Sequence, residues 1–481
     1  MSFIDQRFLV GWFRRIDRTL LCLLLLSFGL RVVLARQGGQ GYFPDEGRIT
    51  VSMNAIRALQ EGKRRVFQQL IFSTADHLGY KVAMLGPVWA AAKWHWGLPV
   101  LAVLSSGLFS TGIVLWIYAL ARRVGAGLEE ARWATFFAAT SCSLFYWSRH
   151  LLPYDLALFF GLACLYVSLH PAPRWYHSLL AGVLGFCAFV TYNGYWSFVA
   201  FALMVHVIRA WPWTRNWGQF LLRTCGATVG LAGPFFGLLY WAASKEYYLL
   251  SSYLEFSKSI NQGDITDGHR VIVDYLWAAE GGLLLIWLAC MGAFFFVRWQ
   301  GGVPTESRSR AWLWLSGTVA LSLGLIIFSN FSENFVVYGR LVRQLVPFFC
   351  LLSGWTLGYV CRHMHWRPKW FRAAAAVIIV AIAAGNFWAP LRQRFDFRRR
   401  AEEMRNAYRA QHKISLDRFL IIYPDFIWPA PQPYDLPPHE ELLSAPHPLH
   451  FRPLLYEGFT RKQREIILTT DIRSRLLLLK H

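Results

Sequence analysis

Charge is scarce in this chain, and negative charge is scarcest. Only 16% of its 481 residues are Asp, Glu, Lys or Arg, against roughly 25% in an ordinary soluble domain. With 55% of residues hydrophobic and 17% aromatic, that deficit excludes a soluble globular protein. Acids number 28 against 49 Lys and Arg, a formal net charge of +21, so each carboxylate stands out. Cysteine offers no scaffold. The eight, at 22, 142, 164, 187, 225, 290, 350 and 361, lie in or at the ends of apolar runs. None is placed for a disulfide in a long loop, and no Cys-x-x-Cys pair suggests zinc. They read as small core residues. Repeats of fixed period and low-complexity tracts are also missing.

What the chain has instead is long apolar runs. About eleven are present, near 20–35, 99–121, 132–147, 151–169, 178–191, 195–208, 220–243, 282–297, 312–329, 341–360 and 373–389. A helix crosses the hydrocarbon with about 20 apolar residues, and a helix satisfies its own backbone there. The expectation is an all-α polytopic membrane protein. A weaker stretch, 82–96, is broken by Gly86-Pro87 and carries Lys93, which predicts an interfacial position. Val33-Leu34-Ala35 is a poor signal-peptidase site, crowded by Arg31 and Arg36 and followed by further spans.

Orientation follows from the short loops, because Lys and Arg stay on the cytoplasmic side. Arg7, Arg14, Arg15 and Arg18 precede the first run, so the N-terminus is expected in the cytoplasm. Counting runs puts Arg122-Arg123, Arg174, Arg209 with Arg215, Arg298 with Arg308 and Arg310, and Arg362 with Arg367 and Lys369 on that same side. The loop 37–98, the loop 245–281 and the tail then face outward. Two units are expected: a transmembrane module over 1–391 and a small outer domain over 392–481. The tail opens with a basic helical segment. Phe419–Tyr423 and Glu465–Thr469 read as strands around a Pro- and His-rich loop, hence a small α/β domain.

The first outer loop is too long to be a connector, and such loops are usually functional. It carries Asp45-Glu46, an acidic pair beside a bilayer in a basic chain. After it, Ile49, Met53, Ile56 and Leu59 recur at helical spacing, predicting an amphipathic helix on the membrane surface. Asp45 is either the cap of that helix or a reactive carboxylate. Glu46 points elsewhere and suits pairing with Arg48 or another base. His77 and Lys81 follow; Lys81 is a headgroup anchor or a point charge for phosphate.

Two further groups face the same side. Arg149, His150 and Asp155 sit at the mouth between the third and fourth runs. There Arg149 snorkels and Asp155 caps the fourth helix, or the two supply a cation and a second acid. Tyr338, Arg340 and Arg343 open the tenth run on a side where cations are unexpected. Arg340 and Arg343 are three apart on one helix face, which suits an anion, with snorkelling as the alternative. Asp264, Asp267 and His269 have metal-ligand chemistry but read as a solvated loop.

In this order, Phe43-Pro44-Asp45-Glu46-Gly47-Arg48, then Ser148-Arg149 with Asp155, then Arg340, Arg343 and Pro347 resemble the GT-C glycosyltransferases that use polyprenyl-phosphate sugars. The likeness is greatest to the protein mannosyltransferase and lipid A aminoarabinose transferase branch, over about 20–355. The resemblance implies that Asp45 is the catalytic carboxylate, that Asp155 is the second acidic position, and that Arg340 and Arg343 meet the donor phosphate. From the residues themselves, Glu46 joins the acids as a positioning residue, and Lys81 and Arg149 join the cations expected at the phosphate. His77, Tyr338 and His150 are further site candidates. The branch often has a Lys- or His-Pro-Pro before its interfacial turn, where this chain has Tyr80-Lys81 and then Gly86-Pro87; His77 and Lys81 both stay open as the counterpart. The expected partners are a polyprenyl-phosphate-linked sugar, a lipid, glycan or protein acceptor, and membrane lipids, with no nucleic acid. No cofactor is required by the chemistry, and a divalent metal is left open. The implied location is the bacterial inner membrane with an outward active site. The rival classes are a transporter or flippase of lipid-linked glycans, which would place relay acids deep in its spans, a related lipid-glycan polymerase or ligase, and a non-catalytic scaffold. The span interiors hold almost no acid or histidine; His206, near a cytoplasmic end, is a lone case.

Overall fold

The computed structural model describes residues 17–37, 47–75, 77–212, 214–260, 272–273, 276–277, 279–299, 305–331, 339–363 and 369–392. All regular structure among these is helical. The expected strands and the outer domain over 392–481 lie outside the described residues. In chain order the helices are α1 (Arg18–Arg36), α2 (Gly47–Gln60), α3 (Arg64–Phe72), α4 (Leu78–Ala83), α5 (Leu85–Trp94) and α6 (Leu98–Ala102). A wide turn, Val103–Gly107, joins α6 to α7 (Leu108–Arg123). Then come α8 (Leu128–Thr140), α9 (Cys142–Phe145), α10 (Tyr154–Ser168), α11 (Trp175–Thr191), α12 (Trp196–Ile208), α13 (Trp217–Ser244) and α14 (Leu249–Ile260). The last are α15 (Gly282–Trp299), α16 (Thr305–Phe331), α17 (Gly339–Val342), α18 (Val346–His363) and α19 (Lys369–Arg392).

Five of these segments are long and apolar enough to cross a membrane: Arg18–Arg36, Leu98–Arg123, Trp217–Ser244, Ser309–Ile327 and Arg343–Arg362. Shorter apolar helices occupy Tyr154–Ser168, Trp175–Thr191, Asn193–Ile208, Gly282–Phe296 and Ala373–Phe387. Each apolar run of the sequence therefore has helical structure, with one change. The run 132–147, expected as one helix, stops at Thr140 and resumes at Cys142, because Ser141 takes an extended backbone with ψ 119°.

Helices approach most closely where glycine removes the side chain. Gly182 of α11 lies against the backbone of Ala227 and Leu231 on α13, and Gly230 against that of Leu179. On α18, Gly354 and Gly358 are one turn apart and face α8. A Cβ on Gly354 would lie 2.6 Å from the Ala134 nitrogen. With no water to drive apolar faces together inside a bilayer, such close contact supplies the packing that holds helices.

One end of the bundle is stapled by charge. The Asp17 carboxylate caps α1 by accepting the Thr19 N–H and takes two hydrogen bonds from Arg132, at 2.9 and 3.0 Å, on α8. Glu130, buried two residues before Arg132 on the same helix, pairs with Arg362 of α18 and with Arg310 of α16. The predicted amphipathic helix is α2. Its Ile49, Met53 and Ile56 pack with Tyr80, Met84, Leu151 and Leu156, so this face lies on protein; Leu59 is exposed. The break expected at Gly86-Pro87 falls instead at Met84, and Pro87 sits in the first turn of α5, where a missing N–H costs no helical bond. Of the cysteines, Cys22 and Cys225 are exposed, while Cys142, Cys164, Cys290 and Cys350 are buried.

Two outcomes test this packing. A Gly230→Leu variant drives α11 and α13 apart and lowers the unfolding temperature in detergent by several degrees. Gly233→Leu, in open space on the same helix, leaves it unchanged. The Arg132 guanidinium holds Asp17 below its ordinary carboxylate value. A depressed acid contributes stability above its unfolded pKa and loses it as the pH falls through its folded one. Asp17→Asn therefore removes part of the pH dependence of unfolding below about pH 4 and leaves the neutral-to-alkaline limb unaltered.

Candidate functional site

The site grows out of the break after α8. A helix start leaves N–H groups without helical partners, and here no local residue caps them. Glu280, far along the chain, does so. Its buried carboxylate accepts hydrogen bonds from the Ser141 hydroxyl at 2.7 Å and from the backbone N–H groups of Cys142 at 3.1 Å and Ser143 at 2.9 Å. The carbonyls of the same segment are met from other helices. Arg343 Nε donates to the Ser143 carbonyl at 2.7 Å, Ser110 Oγ to that of Leu144 at 2.7 Å, and Ser106 Oγ to that of His150 at 2.7 Å. Non-helical backbone at membrane depth survives only when its polar groups are met inside the protein.

The segment leads into Asp155, in the first turn of α10. Its carboxylate does not cap that helix, since Pro153 holds the cap position without a side-chain bond. It forms an ion pair with Arg343, and both side chains are buried. Two expected site residues, distant in sequence, are thereby joined. The Arg343 guanidinium reaches both ends of the interruption, the Ser143 carbonyl and the Asp155 carboxylate. Arg343 and Arg149 are both fully buried, so neither snorkels to water.

Arg31 of α1 is the residue that sequence reasoning missed. It is fully buried and donates from Nε to Ser110 Oγ at 2.7 Å and from an Nη to the Ser27 carbonyl at 2.9 Å. Its charge acts on both Asp155 and Arg343, and the His150 ring is also near Asp155. The signal was present: an arginine inside the first apolar run is costly.

An aromatic layer ties in the other candidates. Arg149 lies 6.0 Å from the Tyr146 ring centre. His150 packs on Tyr146 and Trp147, and Trp147 meets Tyr154 edge-on at 5.7 Å. Tyr154 meets Tyr192 at 4.9 Å, and Tyr192 lies 5.3 Å from His77. His77 has a left-handed backbone, φ 47°, and precedes the helix bearing Lys81. The Lys81 amine is buried and donates to the Thr74 carbonyl at 2.9 Å and hydroxyl at 2.8 Å, which removes the headgroup-anchor reading. Ser52 of α2 donates to the Lys81 carbonyl at 2.9 Å. Thus α2, α4, α10 and the break share one end of the bundle.

Asp45, Glu46 and Tyr338 lie outside the described residues, as do Asp264, Asp267 and His269. Arg340 is on α17, with only its backbone path described. Among the described residues no group of three His, Cys, Asp or Glu is arranged to hold a metal.

No protein-family model and no curated protein sequence matches the chain. Among solved structures it superposes on the archaeal oligosaccharyltransferase AglB of Archaeoglobus fulgidus, determined in complex with an inhibitory peptide and a dolichol-phosphate. The identity is 12% and the TM-score 0.45, covering 77% of this chain and 55% of that one. The chain thus spans little more than half the length of that protein, and a likeness this slight carries no conclusion about activity.

The ion pair makes a sharp stability prediction. Removing one member of a buried pair leaves an uncompensated charge and costs about 3–5 kcal/mol, whereas replacing both by apolar groups is often near neutral. Asp155→Ala therefore unfolds at a lower temperature than Asp155→Leu/Arg343→Met. A double variant at least as unstable as the single one shows that Arg343 matters mainly for the Ser143 carbonyl.

Proposed function

We propose that this chain is an integral membrane glycosyltransferase that moves a sugar from a polyprenyl phosphate to an acceptor hydroxyl. The observation that carries the reading is the buried Asp155–Arg343 pair, with Arg31 and His150 near enough to act on Asp155 and Arg149 buried in the segment that leads to it. Guanidinium groups buried and fixed at the end of a helical bundle suit a phosphate with an apolar tail. A lipid-linked donor reaches such a site sideways through the bilayer. The order of Asp45, Asp155, Arg340 and Arg343 along the sequence matches the same chemistry.

In this reading the acceptor oxygen attacks the anomeric carbon as the sugar–phosphate C–O bond breaks. The bonding electrons leave with polyprenyl phosphate, and the acceptor proton passes to the Asp45 carboxylate as general base. Attack opposite the leaving group inverts the anomeric centre, as base-assisted water does in inverting hydrolases. Arg343, Arg340 and Arg149 stabilise charge growing on the departing phosphate. Asp155 is spent on Arg343, so its part is to position that guanidinium. Lys81, held by Thr74, and His77 position the first loop, and Glu46 orients Asp45. Asp45 lies two positions before Gly47, where α2 begins, and α2 packs on Leu151 and Leu156, either side of Asp155.

The sidedness proposed with it has eleven crossings, a cytoplasmic N-terminus and the site and the 392–481 domain facing outward from a bacterial inner membrane. A transporter would spread its acids along a path through the midplane. Arg31, Asp155 and Arg343 instead lie within about two turns of helix ends on a single layer.

The test is purified protein with a panel of polyprenyl-phosphate sugars, following release of polyprenyl phosphate with and without chelator. Asp45→Asn lowers turnover by about 10²–10⁴-fold, the range of a lost general base, while donor binding persists. Near-normal turnover in that variant removes the catalytic role. Arg340→Ala raises the donor KM about tenfold, or ~1.4 kcal/mol, and leaves the acceptor KM in place. A change confined to the acceptor overturns the phosphate assignment.

A further inference from the structure

The end of the bundle opposite Asp155 holds a second concentration of positive charge. From residue 156 to residue 245 the sequence contains no Asp or Glu. The same stretch supplies His170, Arg174, His177, His206, Arg209 and Arg223, and Arg123 joins them from α7. Asp155 opens α10 and His170 follows its end. At 1.5 Å per residue the two lie about 20 Å apart along that helix.

The contacts show these residues to be neighbours. Arg209 donates to the Leu169 carbonyl at 3.0 Å, and Arg223 to the His206 carbonyl at 2.8 Å. The His206 ring bonds Ser178 Oγ at 2.9 Å. The Arg123 guanidinium sits 4.1 Å from the Tyr166 ring centre. The His170 and His177 rings stack at 4.0 Å. Each accepts a backbone N–H at Nδ1, from Ala172 at 3.2 Å and from Arg174 at 3.0 Å. A neutral imidazole that accepts at Nδ1 carries its proton on Nε2, so both rings are donors at their other nitrogen. Burial, and after it the charges of Arg123, Arg209 and Arg174, hold His170 below its ordinary value.

Helix capping accounts for part of this. A cation near a helix C-terminus is favourable, and Arg209 and Arg223 each serve one terminal carbonyl. Capping leaves the net charge untouched. The charge of Arg123 acts on Arg209, and that of Arg209 on Arg223. Arg223 is itself buried, with its Nε lacking a hydrogen-bond partner among the described residues. The Nε of Arg123 is likewise buried and unpartnered there. Among the described residues no acid is found acting on Arg209 or Arg223, and like charges packed this closely, with buried donors to spare, suit an anion.

The depth of the patch names the anion. Trp175, Tyr176, Trp211 and Trp217 are exposed at the same helix ends. Exposed Trp and Tyr rings at the end of apolar helices mark headgroup level, where their amphipathic rings are favoured. A phosphodiester at that depth belongs to a phospholipid. Basic pockets between helices at a membrane face are known to take anionic headgroups.

We infer that Arg123, Arg174, Arg209 and Arg223, with the His170 and His177 Nε2 donors, form a binding site for the headgroup of an anionic phospholipid. The site lies at the membrane face opposite the Asp155–Arg343 pair. It does not depend on the function proposed for that pair.

The test is native mass spectrometry of the full chain, exchanged into equal amounts of phosphatidylglycerol and phosphatidylethanolamine. The parent protein retains the anionic lipid about tenfold over the zwitterionic one. Arg123→Gln/Arg174→Gln, chosen because neither residue serves a helix-terminal carbonyl of the cluster, loses that preference. Arg123→Lys/Arg174→Lys keeps most of it. Helical circular dichroism and gel filtration show that both variants are folded. Equal retention of the two lipids by the parent, or an unchanged preference in the glutamine variant, overturns the site. Thermal stabilisation by millimolar inorganic phosphate equal to that given by phosphatidylglycerol overturns the lipid assignment, since a free anion then suffices.

Discussion

The structure depends on keeping one stretch of non-helical backbone intact within a bundle of apolar helices. Between Thr140 and Tyr154 the chain breaks at Ser141, makes the short α9 and a tighter turn over Tyr146–Arg149, runs on without helix over 150–153, and starts a long helix again at Tyr154. Each unmet N–H or C=O in such surroundings costs several kcal/mol. Glu280 meets the N–H groups of Cys142 and Ser143, Arg343 the carbonyl of Ser143, and Ser110 that of Leu144. These are side chains from separate helices, so the break also fastens those helices together. The interruption carries Arg149, His150 and Asp155 to one end of the bundle. A continuous helix over the same residues would distribute them around its circumference.

Arg343 and Arg31 connect that scaffold to the chemistry proposed for it. Arg343 uses Nε on backbone and another nitrogen on Asp155. A planar guanidinium with fixed donors suits this double task, and a lysine could not do it. Arg31 holds Ser110 while Ser110 holds the Leu144 carbonyl, so the first helix is bonded to the break through one hydroxyl. A phosphate arriving at this end meets cations already locked in place, and preorganised charge of this sort needs no rearrangement during reaction.

Hydropathy made the helices legible, because a bilayer demands continuous apolar runs and the runs 20–35, 99–121 and 220–243 fall on long apolar helices. The same measure hid the break in 132–147. Ser141, Cys142 and Ser143 are neither charged nor helix-breaking, and the group that stops the helix, Glu280, is remote in sequence. The resemblance drew attention to both Asp155 and Arg343, yet spacing offered a cap and a snorkelling cation for them. Their pairing is a tertiary fact that no local pattern carries. Arg31 was visible as an arginine inside an apolar run. Its meaning needed Ser27 and Ser110, which give it partners below the surface. For α2, periodicity supplied the buried face of Ile49, Met53 and Ile56, but what covers that face is protein.

The distribution of acid explains why the two ends of the bundle differ. At the stapled end Asp17 and Glu130 answer Arg132, Arg310 and Arg362, and the charges there close on themselves. Beside them, Arg174, Arg209 and Arg223 belong to a stretch, 156 to 245, that contains no acid, and Arg123 joins them from α7. At the other end Asp155 is paired with Arg343, Arg31 acts on both, and a second buried carboxylate, Glu280, holds the break itself. Helix packing needs none of this imbalance, since the Gly182–Gly230 and Gly354–Ala134 contacts are made by uncharged residues. Unpaired buried cations reduce stability unless an anion joins them. On the two readings proposed above, the guanidinium groups at one face would meet a departing phosphate, and those at the other, where Arg209 and Arg223 act on each other, would meet a headgroup that stays.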